Sequence, residues 1–123
     1  MYCLTTTGAE AAMSDPQDVV REIDVTQALD LLRAGDAVHV DVREVEEFAA
    51  ERIPGALLSP LSTFDPALLS SLKGKKVIVS CLAGGRSMRA AQALAPVLGA
   101  ANVVSLAGGI NAWKQAGLPT IRG

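Results

Sequence analysis

The feature that most constrains this chain is the run Val77-Ile78-Val79-Ser80, set between the turn Gly74-Lys75-Lys76 and the pair Gly84-Gly85. A short apolar run bounded by turn residues reads as a buried strand. Ala37 to Val42, with Asp41 at its end, and Asn102 to Leu106 read the same way. Val19 to Ile23 reads as an edge strand, and Ile53-Pro54-Gly55-Ala56-Leu57-Leu58 as a turn with a short strand. Helical segments lie between them. Asp24 caps a helix through Ala28, Leu31 and Leu32 that Gly35 ends. Glu44 to Glu51 forms a short acidic helix with Phe48 on its inner face. Asp65 caps a helix with Pro66 at its first position and Leu68, Leu69 and Leu72 on its apolar face. Ser87 begins a helix with Met88, Ala91, Leu94 and Ala95 at helical spacing, which Pro96 weakens or ends because it lacks an N–H. Ile110 to Gln115 is a last short helix. Such alternation argues for an α/β fold, a mostly parallel sheet flanked by helices on both faces. Ligands on such sheets bind beyond the carboxyl ends of the strands, and Cys81 sits at one.

The 123 residues suit one domain, and no internal repeat or low-complexity linker divides them. Residues 20–123 are read as that domain. Residues 1–19 are an N-terminal extension, disordered or set apart by a choice of start between Met1 and Met13; they lack the features of a signal peptide. Aromatics are 3% of the chain, so the core must be mostly Ala, Val, Leu and Ile. A net charge of -2 leaves no footprint for nucleic acid. Ala90 to Trp113 carries no charge, but Pro96, Gly99, Asn102, Gly108, Gly109 and Asn111 interrupt it, so a helix, a turn and a buried strand are expected there rather than a membrane span. The two cysteines, Cys3 and Cys81, and the one histidine, His39, cannot easily make a zinc site, and a reduced, cytoplasmic setting fits them.

The chemistry is expected in Cys81-Leu82-Ala83-Gly84-Gly85-Arg86-Ser87. A strand delivers a cysteine into a tight glycine-containing loop, and a helix follows at once. A curled loop aims successive N–H groups inward and forms an anion nest, to which the helix terminus adds its own. Arg86 adds a permanent cation with a fork suited to oxyanions, and Ser87 is read first as a helix cap. A free cysteine is about 3% thiolate at pH 7, and making most of it thiolate takes about 2.7 kcal/mol of preferential stabilisation. The opposing reading is a core cysteine with a solvated arginine. His39, alternating with Val38 and Val40, reads as a packed strand residue rather than a base for Cys81.

Three segments together resemble the rhodanese family over roughly residues 20–120. They are Val40-Asp41-Val42-Arg43-Glu44 with Glu46-Glu47-Phe48 and Ile53-Pro54-Gly55-Ala56; the Cys81–Ser87 loop; and Leu106-Ala107-Gly108-Gly109-Ile110 with Ala112-Trp113 and Ala116-Gly117-Leu118-Pro119. The resemblance implies a five-stranded parallel sheet. It also implies that Cys81 takes a sulfane sulfur from a donor such as thiosulfate, releases sulfite, and passes the sulfur to cyanide, a thiol or a protein acceptor. That is covalent catalysis with ping-pong kinetics and no metal or organic cofactor. Leu82, Ala83, Gly84, Gly85, Arg86 and Ser87 then form the substrate-binding loop. Asp41 and Arg43 match family positions and read as pocket-supporting, with a surface ion pair the alternative for Arg43. Glu51-Arg52 stand where the family commonly has Gly-His, a position without an assigned catalytic role.

Two other readings stay open. A cysteine phosphatase or arsenate reductase uses a related loop, but with five residues between cysteine and arginine; here there are four. A non-catalytic binding module would be expected to have lost the cysteine. Leu82 and Ala83 leave the loop rim apolar and uncharged, which favours a small thiol or a protein surface over a highly anionic donor.

Overall fold

The computed structural model describes residues 19–123. Cys3, Met13 and nearly all of the expected N-terminal extension therefore lie outside the described residues. In chain order the elements are β1 (Arg21–Ile23), α1 (Val25–Arg33), β2 (Ala37–Asp41), α2 (Val45–Ala50), β3 (Glu51–Arg52), β4 (Leu57–Leu58), β5 (Lys76–Ser80), α3 (Gly85–Leu98), β6 (Val103–Leu106), α4 (Gly109–Gln115) and β7 (Ile121–Arg122). Five strands form a parallel sheet in the order β1-β6-β5-β2-β4, so the expected five-stranded α/β fold is present with β5 at its centre.

Side chains alternate across a strand, and here the alternation divides the core in two. Val77, Val79 and Cys81 of β5 and its end join Val40, Val42 and Val103 beneath Ala90, Ala91, Leu94 and Leu98 of α3. Ile78, Val104 and Leu106 face the other way, against Ala28 of α1 and Ile110 and Trp113 of α4. Nine of these Val, Leu and Ile side chains are at most 2% exposed, and each contributes about 1.5–3 kcal/mol relative to exposure. Trp113 keeps its indole N–H satisfied by donating to the Pro119 carbonyl at 2.8 Å.

Asp24 caps α1 as expected, in a reciprocal capping box with Gln27. Four expectations need correction. Pro66–Leu72 is a 3-10 helix capped by Asp65; with three residues per turn, Leu69 and Leu72 share the face packed on the core, while Leu68 points outward, 76% exposed. The third helix starts at Gly85, not Ser87. Pro96 does not end it: Leu98 is buried against the sheet and holds the last turn, and Gly99, at φ 91, stops it. Phe48 is only half-buried, with the Arg52 guanidinium over its ring at 5.6 Å. A further element was not expected at all. β3 and β7 pair antiparallel as a separate ribbon, tied by Glu51, whose carboxylate accepts from Lys114, Thr120 and Arg122 at 2.9, 2.6 and 3.3 Å. The segment Ala90–Trp113 is divided among α3, a 3-10 turn, β6 and α4, and among the described residues no helix is long and apolar enough to cross a membrane.

Candidate active site

Cys81 leaves the central strand and enters a loop that ends at Gly84, the N-cap of α3. Gly84 sits at φ 114, a region that favours glycine. This turn brings the Gly84 N–H to 3.0 Å from the Cys81 sulfur, to which it donates. The loop is held open from behind. Its carbonyls are engaged by the start of α4: Ile110 N–H donates to the Cys81 carbonyl at 2.9 Å and Asn111 N–H to that of Leu82 at 3.2 Å. With those carbonyls turned away, amides are left facing the sulfur. The approach is close enough to require glycine at 109. A Cβ there would fall on the Cys81 carbonyl oxygen and lie 2.6 Å from that of Leu82, and the backbone has φ 55.

Cys81 is 1% exposed. Burial pushes its thiol pKa up and is the largest single effect; the Ser87 hydroxyl and amide, with the amides of Gly84 and Ala83, together outweigh it and leave the pKa below its ordinary value. Above the sulfur, Cys81, Leu82, Ala83, Gly85, Arg86 and Arg89 line an open bowl of about 530 Å³. Leu82 and Ala83 are exposed on its rim. Gly84 and Ser87 lie buried beneath, in contact with the sulfur rather than on the bowl wall. Ser87 is not the helix cap: it sits in the first turn of α3 and turns its hydroxyl inward to the Gly84 carbonyl, 3.0 Å away.

Arg86 lines the bowl, but its fork is already engaged. Nη1 and Nη2 donate to the two carboxylate oxygens of Glu47 at 2.8 and 3.0 Å, and the guanidinium holds the Glu47 pKa down at about 2. The sequence reading placed Glu47 in a family signature but gave it no part in the site, because its partner lies 39 residues away. It also missed Arg89, one turn further along α3, exposed, and without a carboxylate partner among the described residues. Its spacing from Arg86 on a helix was the available signal.

Asp41 and Arg43 do not reach the bowl. They form a buried ion pair, not a surface one: Nε and Nη2 of Arg43 donate to the Asp41 carboxylate at 2.9–3.2 Å, with both residues at most 3% exposed. The remaining Arg43 donors reach the carbonyls of Glu47 at 3.4 Å and Glu51 at 2.6 Å. The pair thereby fixes α2, and α2 presents Glu47 to Arg86. His39 is on the opposite face of the sheet from Cys81. Its Nε2 pairs with the Ser80 hydroxyl at 2.7 Å, and burial lowers its pKa to about 4. It is a neutral, packed residue and not a base for Cys81. Among the described residues, no group of three or more His, Cys, Asp or Glu side chains is placed to hold a metal ion.

A cysteine with a lowered pKa at the carboxyl end of a central parallel strand, cradled by a four-residue loop, is joined by a match to the Rhodanese-like domain over residues 24–116. The chain belongs to the rhodanese-like family. Among its relatives, thiosulfate sulfurtransferase 16, chloroplastic, of Arabidopsis thaliana is 33% identical and is covered over 98% of its length by 88% of this chain. An uncharacterized protein of Synechocystis sp. is 43% identical over 78% of this chain, which spans 54% of that protein's length. The rhodanese-related protein of Thermoplasma volcanium superposes with a TM-score of 0.72 at 27% identity, covering 82% of this chain and 97% of that one. Within this rhodanese-like frame, the Gly108-Gly109-Ile110 signature has a physical meaning: it is the part of α4 that grips the loop. The departure at Glu51-Arg52 also has one, since Glu51 anchors the β3–β7 ribbon.

Proposed function

We propose that this protein is a sulfurtransferase that carries a sulfane sulfur as a persulfide on Cys81. The observation that carries the reading is the sulfur itself, buried at the base of the bowl with the Gly84 N–H donating to it and its pKa lowered. The Cys81 thiolate attacks the outer sulfur of a donor such as thiosulfate. The donor's S–S bond breaks, its electron pair leaves on sulfite, and the loop amides carry the negative charge of the persulfide. A thiophilic acceptor (cyanide, a thiol or a protein thiol) then attacks the outer sulfur and returns the thiolate. Arg89 supplies the uncompensated cation that an anionic donor meets on entry, because Glu47 already neutralises Arg86. The expectation that an apolar rim disfavours anionic donors is thereby revised: Leu82 and Ala83 form only part of the wall.

The test is intact mass after incubation with thiosulfate or an organic persulfide, for wild type and Cys81→Ala, before and after cyanide. The expected result is a gain of one sulfur atom that the substitution abolishes and cyanide removes as thiocyanate. No gain in folded, reduced protein, or turnover of an aryl phosphate instead, overturns the reading.

A further inference from the structure

Ser105 lies in β6, completely buried, on the same face of the sheet as Cys81. Its hydroxyl oxygen is 2.8 Å from that of Ser87, and no other side-chain partner is present for it among the described residues. Ser87 Oγ is in turn 3.0 Å from the Gly84 carbonyl and 3.5 Å from the Cys81 sulfur. Three polar side chains from β6, α3 and the end of β5 thus form a buried chain leading to the Cys81 sulfur.

Proton accounting gives that chain a direction. A hydroxyl carries one proton and two acceptor lone pairs, and a buried donor left unbound is costly. The Ser105 proton has one side-chain acceptor in reach, the Ser87 oxygen, so Ser105 is the donor. Ser87 then accepts from Ser105, and its own proton has two destinations, the Gly84 carbonyl or the sulfur. In the thiol state the S–H donates to the Ser87 oxygen and the Ser87 proton rests on the Gly84 carbonyl. When the thiol ionises, the Ser87 proton turns to the thiolate. The Gly84 carbonyl is not orphaned by that turn, because it also accepts from the Met88 N–H at 3.2 Å.

We infer that Ser105 is a positioning residue for Cys81: by donating to Ser87 it keeps the Ser87 proton from being spent on Ser105, leaves it available to the thiolate, and strengthens that hydrogen bond. A chain of hydrogen bonds polarises its members cooperatively, so the far hydroxyl acts on an atom it does not touch. The inference deepens the proposed site but does not depend on sulfur transfer, because it concerns ionisation of the cysteine alone.

The experiment is the pH dependence of Cys81 alkylation by iodoacetamide, in wild type, Ser105→Ala, Ser87→Ala and the double variant. With masking of Cys3 by Cys3→Ser throughout, one thiol is read. Ser105→Ala is expected to raise the apparent pKa by about half to one pH unit, making alkylation below it about three- to tenfold slower. Ser87→Ala is expected to raise it further, and the double variant to match Ser87→Ala alone, since Ser105 acts through Ser87. An unchanged pKa in Ser105→Ala, or an undiminished effect of that substitution when Ser87 is already Ala, overturns the inference. If Ser105→Ala does not fold, Ser105→Thr against Ser105→Val carries the same comparison, the two being alike in shape and differing in the hydroxyl. An equal pKa in that pair also overturns it. Alkylation kinetics remain readable if the protein never accepts sulfur, so failure of the proposed function and failure of this inference are separable.

Discussion

Two buried polar pairs sit on opposite faces of one sheet, and they have opposite consequences. On the α1–α4 face His39 pairs with Ser80 at 2.7 Å, and its Nδ1 has no partner among the described residues. On the α3 face Ser87 pairs with Ser105 at 2.8 Å and abuts Cys81. Ser80 and Cys81 are neighbours in sequence, so the two environments are one residue apart and separated by the thickness of the sheet. The first pair holds an ionisable group neutral, because burial, with the Arg43 cation, outweighs the pull of the Asp41 carboxylate on a protonated ring. The second favours a charge, because hydroxyl and amide protons converge on the sulfur. Burial penalises the ion on both faces; what differs is that donors converge on the thiolate, whereas the Nδ1 proton of an imidazolium would meet no acceptor among the described residues.

The comparison is broken most severely through α4, which packs on the His39 side yet grips the loop of the Cys81 side. Gly109→Ala should force the Cys81 and Leu82 carbonyls away, cost about 2–4 kcal/mol of stability, and reduce sulfur loading at least about a hundredfold. Urea unfolding and the mass assay measure the two effects; a stable, fully active variant would show that the grip does not shape the loop.

A smaller effect isolates the quiet face. The folded His39 pKa is about 4 against an ordinary 6.5. Between those values the unfolded chain binds a proton that the folded chain refuses, so stability falls as pH drops from 6.5 towards 4, by up to about 3 kcal/mol. His39→Gln should flatten that part of the stability profile while leaving the Cys81 alkylation pKa in place. A shifted alkylation pKa would mean that the sheet does not insulate the two faces.

The smallest effect lies on the rim. Arg89→Gln should raise KM for thiosulfate about three- to tenfold with kcat nearly unchanged, and should weaken the salt dependence of kcat/KM. An unaltered KM would assign recognition of the donor to the loop alone.

The central strand, the loop and the capped first helix were legible because their signals are local: a continuous apolar run, glycines at a turn, and an aspartate three residues ahead of a glutamine. The 3-10 character of Pro66–Leu72 was not, since Leu68, Leu69 and Leu72 fit a helical stripe equally well until the tighter turn separates them. Pro96 misled for a similar reason: a missing N–H is a local cost, whereas burial of Leu98 is a tertiary gain. The Glu47–Arg86 fork, the Ser87–Ser105 pair and the β3–β7 ribbon join residues 39, 18 and about 70 apart in sequence, and nothing in either partner's neighbourhood names the other. Cys81 and the Ala83, Gly84 and Ser87 groups that lower its pKa lie in one readable segment, while Glu47, Ser105 and the start of α4, which contact that segment, come from three other places in the chain.

Cys81 follows directly on β5, which is paired on both sides along its length. In amide hydrogen exchange such a strand belongs to the part of a domain that opens last, with protection approaching that of global unfolding. Cys81 is therefore anchored to the strand expected to exchange most slowly, while Leu82 and Ala83, only one and two residues on, face solvent. If sulfur transfer takes place here as proposed, a donor must bring its sulfur down to an atom fixed to the sheet rather than one that comes up to meet it.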